Sequence, residues 1–178
     1  MRLKPGDTAP EFGIKDAKGG DIRLSSYTGK KTLLVFFRYA GCPFCNLALD
    51  RLLAAYPRLA ARGLNVIAFF QSDRASTEKY ILKRHVVPFP VVPDPERTVY
   101  DRYGIETSFW AFVRTALHLD EFFGAWRRGY PQPAIDGDFF LVPAMFLIDR
   151  DLNVVQAEYG RHFSLPFDFL EIEKYLQD

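Results

Sequence analysis

The feature that most constrains this chain is the run Thr32-Leu33-Leu34-Val35-Phe36-Phe37, followed after Arg38-Tyr39-Ala40-Gly41 by Cys42-Pro43-Phe44-Cys45. A short, partly β-branched apolar run reads as a buried strand. From about Pro43 to Arg62 the period changes: Leu49, Leu52, Leu53, Tyr56 and Leu59 recur three and four residues apart, and Gly63 supplies a stop. A Cys-x-x-Cys pair therefore sits where a strand hands over to a helix. There the free N–H groups and the positive end of the helix dipole favour thiolate at Cys42. Pro43 falls in the first turn, where its missing N–H has no intrahelical partner to lose. Cys45 lies on the same face, one turn deeper. The spacing predicts Cys42 as an exposed attacking thiol and Cys45 as a shielded resolving thiol that closes a Cys42–Cys45 disulfide.

The remaining segments extend this into an α/β fold. Leu64–Phe70 reads as a second buried strand, and Ser72-Asp73 opens a helix reaching about Arg84. A β-α-β-α order implies a largely parallel sheet. After Pro88-Phe89-Pro90-Val91-Val92 comes a short helix near Glu96–Tyr103. Met145–Asp149 and Leu152–Glu158 read as a hairpin joined tightly by Arg150-Asp151, and a last helix covers roughly 168–177. Parallel strands, then a hairpin, then a helix is the thioredoxin order. It predicts a central mixed sheet flanked by helices, with an N-terminal hairpin extension turning around Lys18-Gly19-Gly20-Asp21.

At 178 residues the chain is expected to be one domain, 1–178. Its net charge of +1 argues against a nucleic-acid or anionic-membrane surface. No apolar run approaches the length of a membrane span, and Pro5 and Asp7 interrupt the N-terminus before it could read as a signal peptide. A cytoplasmic protein with reduced thiols is the expectation. Two cysteines cannot staple a secreted fold. Inert buried cysteines are the bland reading of the pair. A zinc site needs two further ligands, and His85, His118 and His162 stand at no metal spacing. Neither metal nor cofactor is called for. Arg38, four residues before Cys42, can stabilise a thiolate there or stand solvated at the strand end. His85 reads as a helix-ending cation, and Arg161-His162 as a surface loop.

Lys4-Pro5-Gly6-Asp7-Thr8-Ala9-Pro10-Glu11-Phe12, Leu24-Ser25-Ser26-Tyr27-Thr28-Gly29-Lys30 and Val87-Pro88-Phe89-Pro90-Val91-Val92-Pro93-Asp94-Pro95 resemble segments of the AhpC/TSA peroxiredoxin-like family, within the thioredoxin superfamily. The likeness covers 1–105 and 141–178. It implies a thiol-dependent oxidoreductase, many such proteins being antioxidant hydroperoxide reductases, with a thioredoxin- or glutathione-type electron donor possible. A peroxiredoxin of this family resembles Pro-x-x-x-Thr-x-x-Cys, with its peroxidatic Cys matching Cys45. The Thr would then fall at Cys42 and the Pro at Arg38, and both differ. The family's peroxide-polarising Arg before the late strand is also replaced: Leu141-Val142-Pro143-Ala144 offers Pro143 instead. A proline there resembles that of thioredoxin-like reductases. It implies a cis Val142–Pro143 bond beside Cys42, with Val142 and Pro143 binding substrate; an ordinary trans proline at a strand entry is the alternative.

Residues 107–140 fit no part of this pattern and are read as a helical insertion. Phe109, Phe112, Val113, Ala116 and Leu117 share a helical face, while Trp110, Leu119 and Phe122 fall off it. A helix apolar on two sides packs into a larger core, folds over the site, or pairs two copies, and a homodimer through about 108–124 is the expectation. Three functions stay open: a thiol–disulfide oxidoreductase cycling Cys42 and Cys45, an atypical peroxiredoxin reducing hydroperoxides, and a non-catalytic redox-sensing binding protein.

Overall fold

A computed structural model describes residues 1–108, 110, 127–130, 135–160 and 169–176. The five-stranded sheet has the order β5-β4-β3-β6-β7, formed by β3 (Thr32–Phe36), β4 (Asn65–Phe70), β5 (Val91–Pro93), β6 (Ala144–Ile148) and β7 (Val154–Tyr159). β3, β4 and β5 run parallel; β6 is antiparallel to β3, and β7 to β6. A separate hairpin pairs β1 (Gly13–Lys15) with β2 (Asp21–Arg23), its turn held by the Asp16 carboxylate accepting from the N–H groups of Lys18 and Gly20.

Every residue of β3 is buried because both sheet faces are covered. On one face Leu33, Val35 and Phe37 meet Ala48, Leu49, Leu52 and Leu59 of helix α1 (Pro43–Ala61), with Ile172 of α4 (Phe169–Tyr175). On the other, Leu34 and Phe36 meet Phe12, Leu24 and residues of α3 (Thr98–Arg102). This alternation is the period-two side-chain rule of a strand. The strand order matches the thioredoxin-like expectation, and the central strand delivers the chain directly to the cysteine pair.

Two local readings change. The β6–β7 connection spans residues 149–153 rather than Arg150-Asp151 alone. The Asp149 carboxylate accepts from the N–H groups of Asp151 and Asn153, and Leu152 takes a left-handed φ of 63°, which excludes Leu152 from the strand. The helix after Asp73 begins as α2 (Arg74–Thr77) and widens into a π-helical turn, Glu78–Leu82, where Lys83 N–H donates to Glu78 C=O at 2.9 Å. Of the aromatic helix expected at about 108–124, only Ser108 and exposed Trp110 are described; its other residues, and the dimer contact assigned to them, lie outside the described residues. So do His118 and His162.

Candidate active site

β3 ends at Phe36, and the next residues are tied down one by one. Phe37 N–H donates to Phe69 C=O, Gln71 N–H to Arg38 C=O, and Ala40 N–H to the Ser72 hydroxyl at 2.8 Å. Cys42 N–H closes a turn on Tyr39 C=O. Cys42 is then the N-cap of α1, with extended φ/ψ of −62°/122°, and Pro43 occupies the first turn. The sulfur stands before the unpaired N–H groups of the first turn, as the sequence predicts.

Both cysteines are free thiols, and both are buried. The expected exposure of Cys42 is therefore corrected. Two neighbours explain the closure. Arg38, only 1% exposed, places Nη1 3.4 Å from Cys42 Sγ, and its Nη2 donates to Phe139 C=O. The Phe139 ring packs against the cluster holding both sulfurs, and Val142 packs against Phe44 and Phe139. This segment sits close: a Cβ on Gly137 would stand 2.6 Å from Gln71 C=O and 3.1 Å from Tyr39 Cβ. Arg38 belongs to the site rather than to solvent.

The two thiols are driven apart in acidity. Burial opposes ionisation of Cys42, but the Cys45 thiol, the Arg38 guanidinium and the N–H groups of Cys45 and Phe44 outweigh it and bring Cys42 down to about 6. Burial and the neighbouring Cys42 sulfur push Cys45 well above the usual thiol range. A group at about 6 is about nine-tenths ionised at pH 7. The site thus holds one thiolate and one thiol, with a buried guanidinium beside the anion. Opposite charge is what makes burial of either tolerable.

The Val142–Pro143 bond is trans, correcting the cis expectation. Trans is the intrinsically favoured isomer even before proline. Here it carries the chain extended from Leu141 into β6, with Val142 N–H donating to Glu106 C=O and Pro143 C=O accepting from Gly160 N–H. Those backbone groups are already paired. The argument for substrate pairing by a cis loop falls, while Val142 keeps its place beside the motif through Phe44.

Sequence reading missed three participants. Asn46 follows Cys45 directly and is fully buried, its amide Nδ2 donating to Ala40 C=O at 2.8 Å and Cys42 C=O at 3.0 Å. Its place directly after Cys45 was the available signal. His85 does end its helix, its N–H donating to Ile81 C=O at 2.9 Å, but not as the expected cation: its side chain is 5% exposed and reaches Asn46 and Asp50 on α1, and burial favours the neutral ring. Phe139 had no legible signal, since its role rests on a backbone carbonyl. Among the described residues no group of three or more His, Cys, Asp or Glu is placed to hold a metal ion, and no helix is long and apolar enough to cross a membrane.

Comparison with known proteins agrees with this architecture. The chain is 25% identical over 122 residues to peroxiredoxin Bcp of Escherichia coli, covering 67% of this chain and 78% of the relative. It is 32% identical over 101 residues to the thiol-disulfide oxidoreductase ResA of Geobacillus kaustophilus, covering 56% and 57%. The crystal structure of peroxidoxin BcpB from Mycobacterium tuberculosis superposes with a TM-score of 0.73 at 18% identity, covering 99% of this chain and 97% of that one, and shows the same thioredoxin-like fold. The profile of the AhpC/TSA family matches residues 5–157, which include β3, the cysteine pair and β6. On that match, the chain belongs to the AhpC/TSA family.

Proposed function

We propose that this thiol-dependent oxidoreductase exchanges its Cys42/Cys45 dithiol with substrate disulfides. The observation that carries the reading is the split acidity of the pair, a thiolate at the helix start beside Arg38 and a protonated partner one turn deeper. The Cys42 thiolate attacks one sulfur of a disulfide, forming a mixed disulfide and expelling the other half as thiolate. Cys42 is then neutral, so its repulsion no longer holds the proton on Cys45. Cys45 yields that proton to the departing thiolate and attacks Cys42. The second half of the substrate leaves as a thiolate that takes its proton from solvent, and the two electrons of the pair have passed to the substrate disulfide. A thioredoxin- or glutathione-type donor restores the dithiol. A reducing, cytoplasmic setting suits a resting state of free thiols. Val142 and Phe44 supply the apolar wall of the approach, with Pro143 behind them at the strand entry.

One observation favours a second reading, an atypical peroxiredoxin. Cys42 is closed to bulky partners, and Arg38 Nη1 stands where it could hold a hydroperoxide oxygen, supplying the polarising cation that the late strand lacks. Attack by the thiolate would then give a Cys42 sulfenic acid and an alcohol or water. Condensation with Cys45 would release water and leave the same disulfide.

Turnover of hydrogen peroxide and of a small disulfide, measured side by side with thioredoxin recycling, separates these readings. Fast disulfide turnover and slow peroxide turnover are expected. The reverse would assign the peroxidase, and no turnover with either would leave a redox-sensing binding role. Mass spectrometry after exposure to a disulfide probe should find Cys45→Ser holding a mixed disulfide at Cys42, and Cys42→Ser holding none. A label on Cys45 would exchange the two roles.

A further inference from the structure

Behind the cysteine pair a line of polar side chains leads away from Cys42 and is used by none of the steps above. The fully buried Asn46 amide clamps the carbonyls of Ala40 and Cys42 through Nδ2. With both amide hydrogens so committed, Oδ1 faces His85 Nε2 at 3.2 Å and can only accept, so Nε2 must carry the proton. On the other side of the ring, Nδ1 lies 3.4 Å from Asp50 Oδ1. Asp50 in turn accepts from Tyr130 Oη at 3.0 Å and Arg128 Nη1 at 3.2 Å. The Tyr130 ring also flanks the imidazole, with centroids 5.8 Å apart.

We propose that His85 is a positioning residue for Cys42: by donating from Nε2 to Asn46 Oδ1 it anchors the amide that clamps the Ala40 and Cys42 carbonyls, and so holds the turn, and with it the sulfur, against the N–H groups that open α1. The inference rests on Cys42 being the reactive thiolate and adds a residue brought from another element, 43 positions along the chain from Cys42. Without the donor at Nε2, the buried Oδ1 loses that hydrogen bond and the amide is no longer held from its oxygen end. A loosened amide would weaken its two donations to the Ala40 and Cys42 carbonyls and release the turn. The Tyr130 ring flanks the imidazole, and Asp50 lies beyond Nδ1, which carries no proton in this tautomer and does not donate to it. The groups facing His85 are Asp50 from α1, Arg84 beside it in the chain, and Tyr130 with Arg128 behind Asp50. Burial lowers the His85 pKa most, with Asp50 acting against that and Arg84 with it. The neutral ring is thus favoured at pH 7, in the tautomer that Asn46 requires.

The two ring nitrogens can be tested separately, because a Gln amide reaches the Nε2 position and an Asn amide the Nδ1 position. The readout is the rate of Cys42 alkylation by iodoacetamide across pH 5 to 9, on the reduced full chain, with folding checked by thermal unfolding. His85→Asn is expected to raise the Cys42 midpoint by about one unit, so the rate at pH 6 falls about fivefold while the rate at pH 9 is unchanged. His85→Gln should stay within about twofold of the parent at both pH values, since it keeps the donor to Asn46. A loss of rate at all pH values would mean altered access, and equal profiles for His85→Asn and His85→Gln would mean that the Nε2 contact does no positioning; either overturns the proposal. A parent midpoint near 9 would instead overturn the reading of Cys42 as the reactive thiolate. The two failures are therefore distinct.

Discussion

On the α1 face of the sheet, Leu33, Val35, Ala68, Met145 and Leu147, with Phe37 stacked on Phe70, make a floor into which Arg38, Asn46 and the two cysteines are set. On the opposite face the same strands present Phe36, Phe69 and Phe146, which meet Phe12, Tyr100, Tyr103 and Tyr159. Phe36 stacks on Phe69 at 4.5 Å and meets Tyr100 and Phe146 edge-on at 5.1 and 5.7 Å. The first face carries Arg38 and Asn46 beside the sulfurs, while the buried carboxylate of the second, Asp94, accepts from the N–H groups of Thr98 and Val99. The two faces are nevertheless linked: Tyr100 Oη donates to Phe37 C=O at 2.6 Å, fixing the chain one residue before Arg38 from the far side of the sheet. The aromatic face acts as a rigid backing for a face whose polar groups would be costly to bury in a looser core.

That division can be broken from either side. Phe36→Ala removes the ring that stacks on Phe69 and meets three further aromatic rings edge-on or tilted, and should destabilise the fold by about 3–5 kcal/mol. Denaturant unfolding reads this, while the alkylation midpoint of Cys42 stays at about 6. A shifted midpoint would show that the backing sets acidity as well as rigidity. Arg38→Met does the converse. It removes the cation from Cys42 but keeps a long apolar stem, and the midpoint should rise by about 1–3 units. At pH 6 the rate of Cys42 alkylation should fall about fivefold or more, recovering to within about twofold at pH 9. An unmoved midpoint would leave the N–H groups of α1 and the Cys45 thiol as the whole source of the lowered acidity.

What could be read beforehand follows the same division. Strand alternation and helical spacing are local, so the sheet order, α1 and the place of Cys42 before Cys45 were legible in Thr32–Leu59 and its neighbours. The aromatic face was legible only as an excess of Phe, because ring pairs such as Phe12 with Phe69 join residues far apart in sequence. At the site, contacts reaching across the chain were hidden. Arg38 could be solvated or buried until Phe139, 101 residues later, supplied its carbonyl. His85 looked like a helix-ending cation because nothing local announces a contact with Asn46, 39 residues away. Pro143 was legible as a strand entry, but the pairing of Val142 with Glu106 and of Pro143 with Gly160 is encoded in no local pattern.

The smallest expected effect concerns how the reactive face changes the stability of the whole. A thiol ordinarily ionises near 9, and in the fold Cys42 ionises at about 6. Between those values the unfolded chain binds the Cys42 proton and the folded chain does not, so stability rises as pH increases from 6 to 9 and is lost as pH falls through 6. Cys45 carries the opposite sign: its raised value makes the folded state hold a proton longer, so its contribution declines only above pH 9. His85, lowered by burial, also favours the fold more above its ordinary value of 6.5 than below, which adds to the slope at the acid end. The reduced protein should therefore melt a few degrees higher at pH 8 than at pH 6.5, at about 2–4 °C for each kcal/mol in a chain of this size. Cys42→Ser should flatten that difference, whereas Phe36→Ala should lower both melting temperatures and leave their separation intact. A slope that survives Cys42→Ser would mean that the thiolate is not what couples the reactive face to pH.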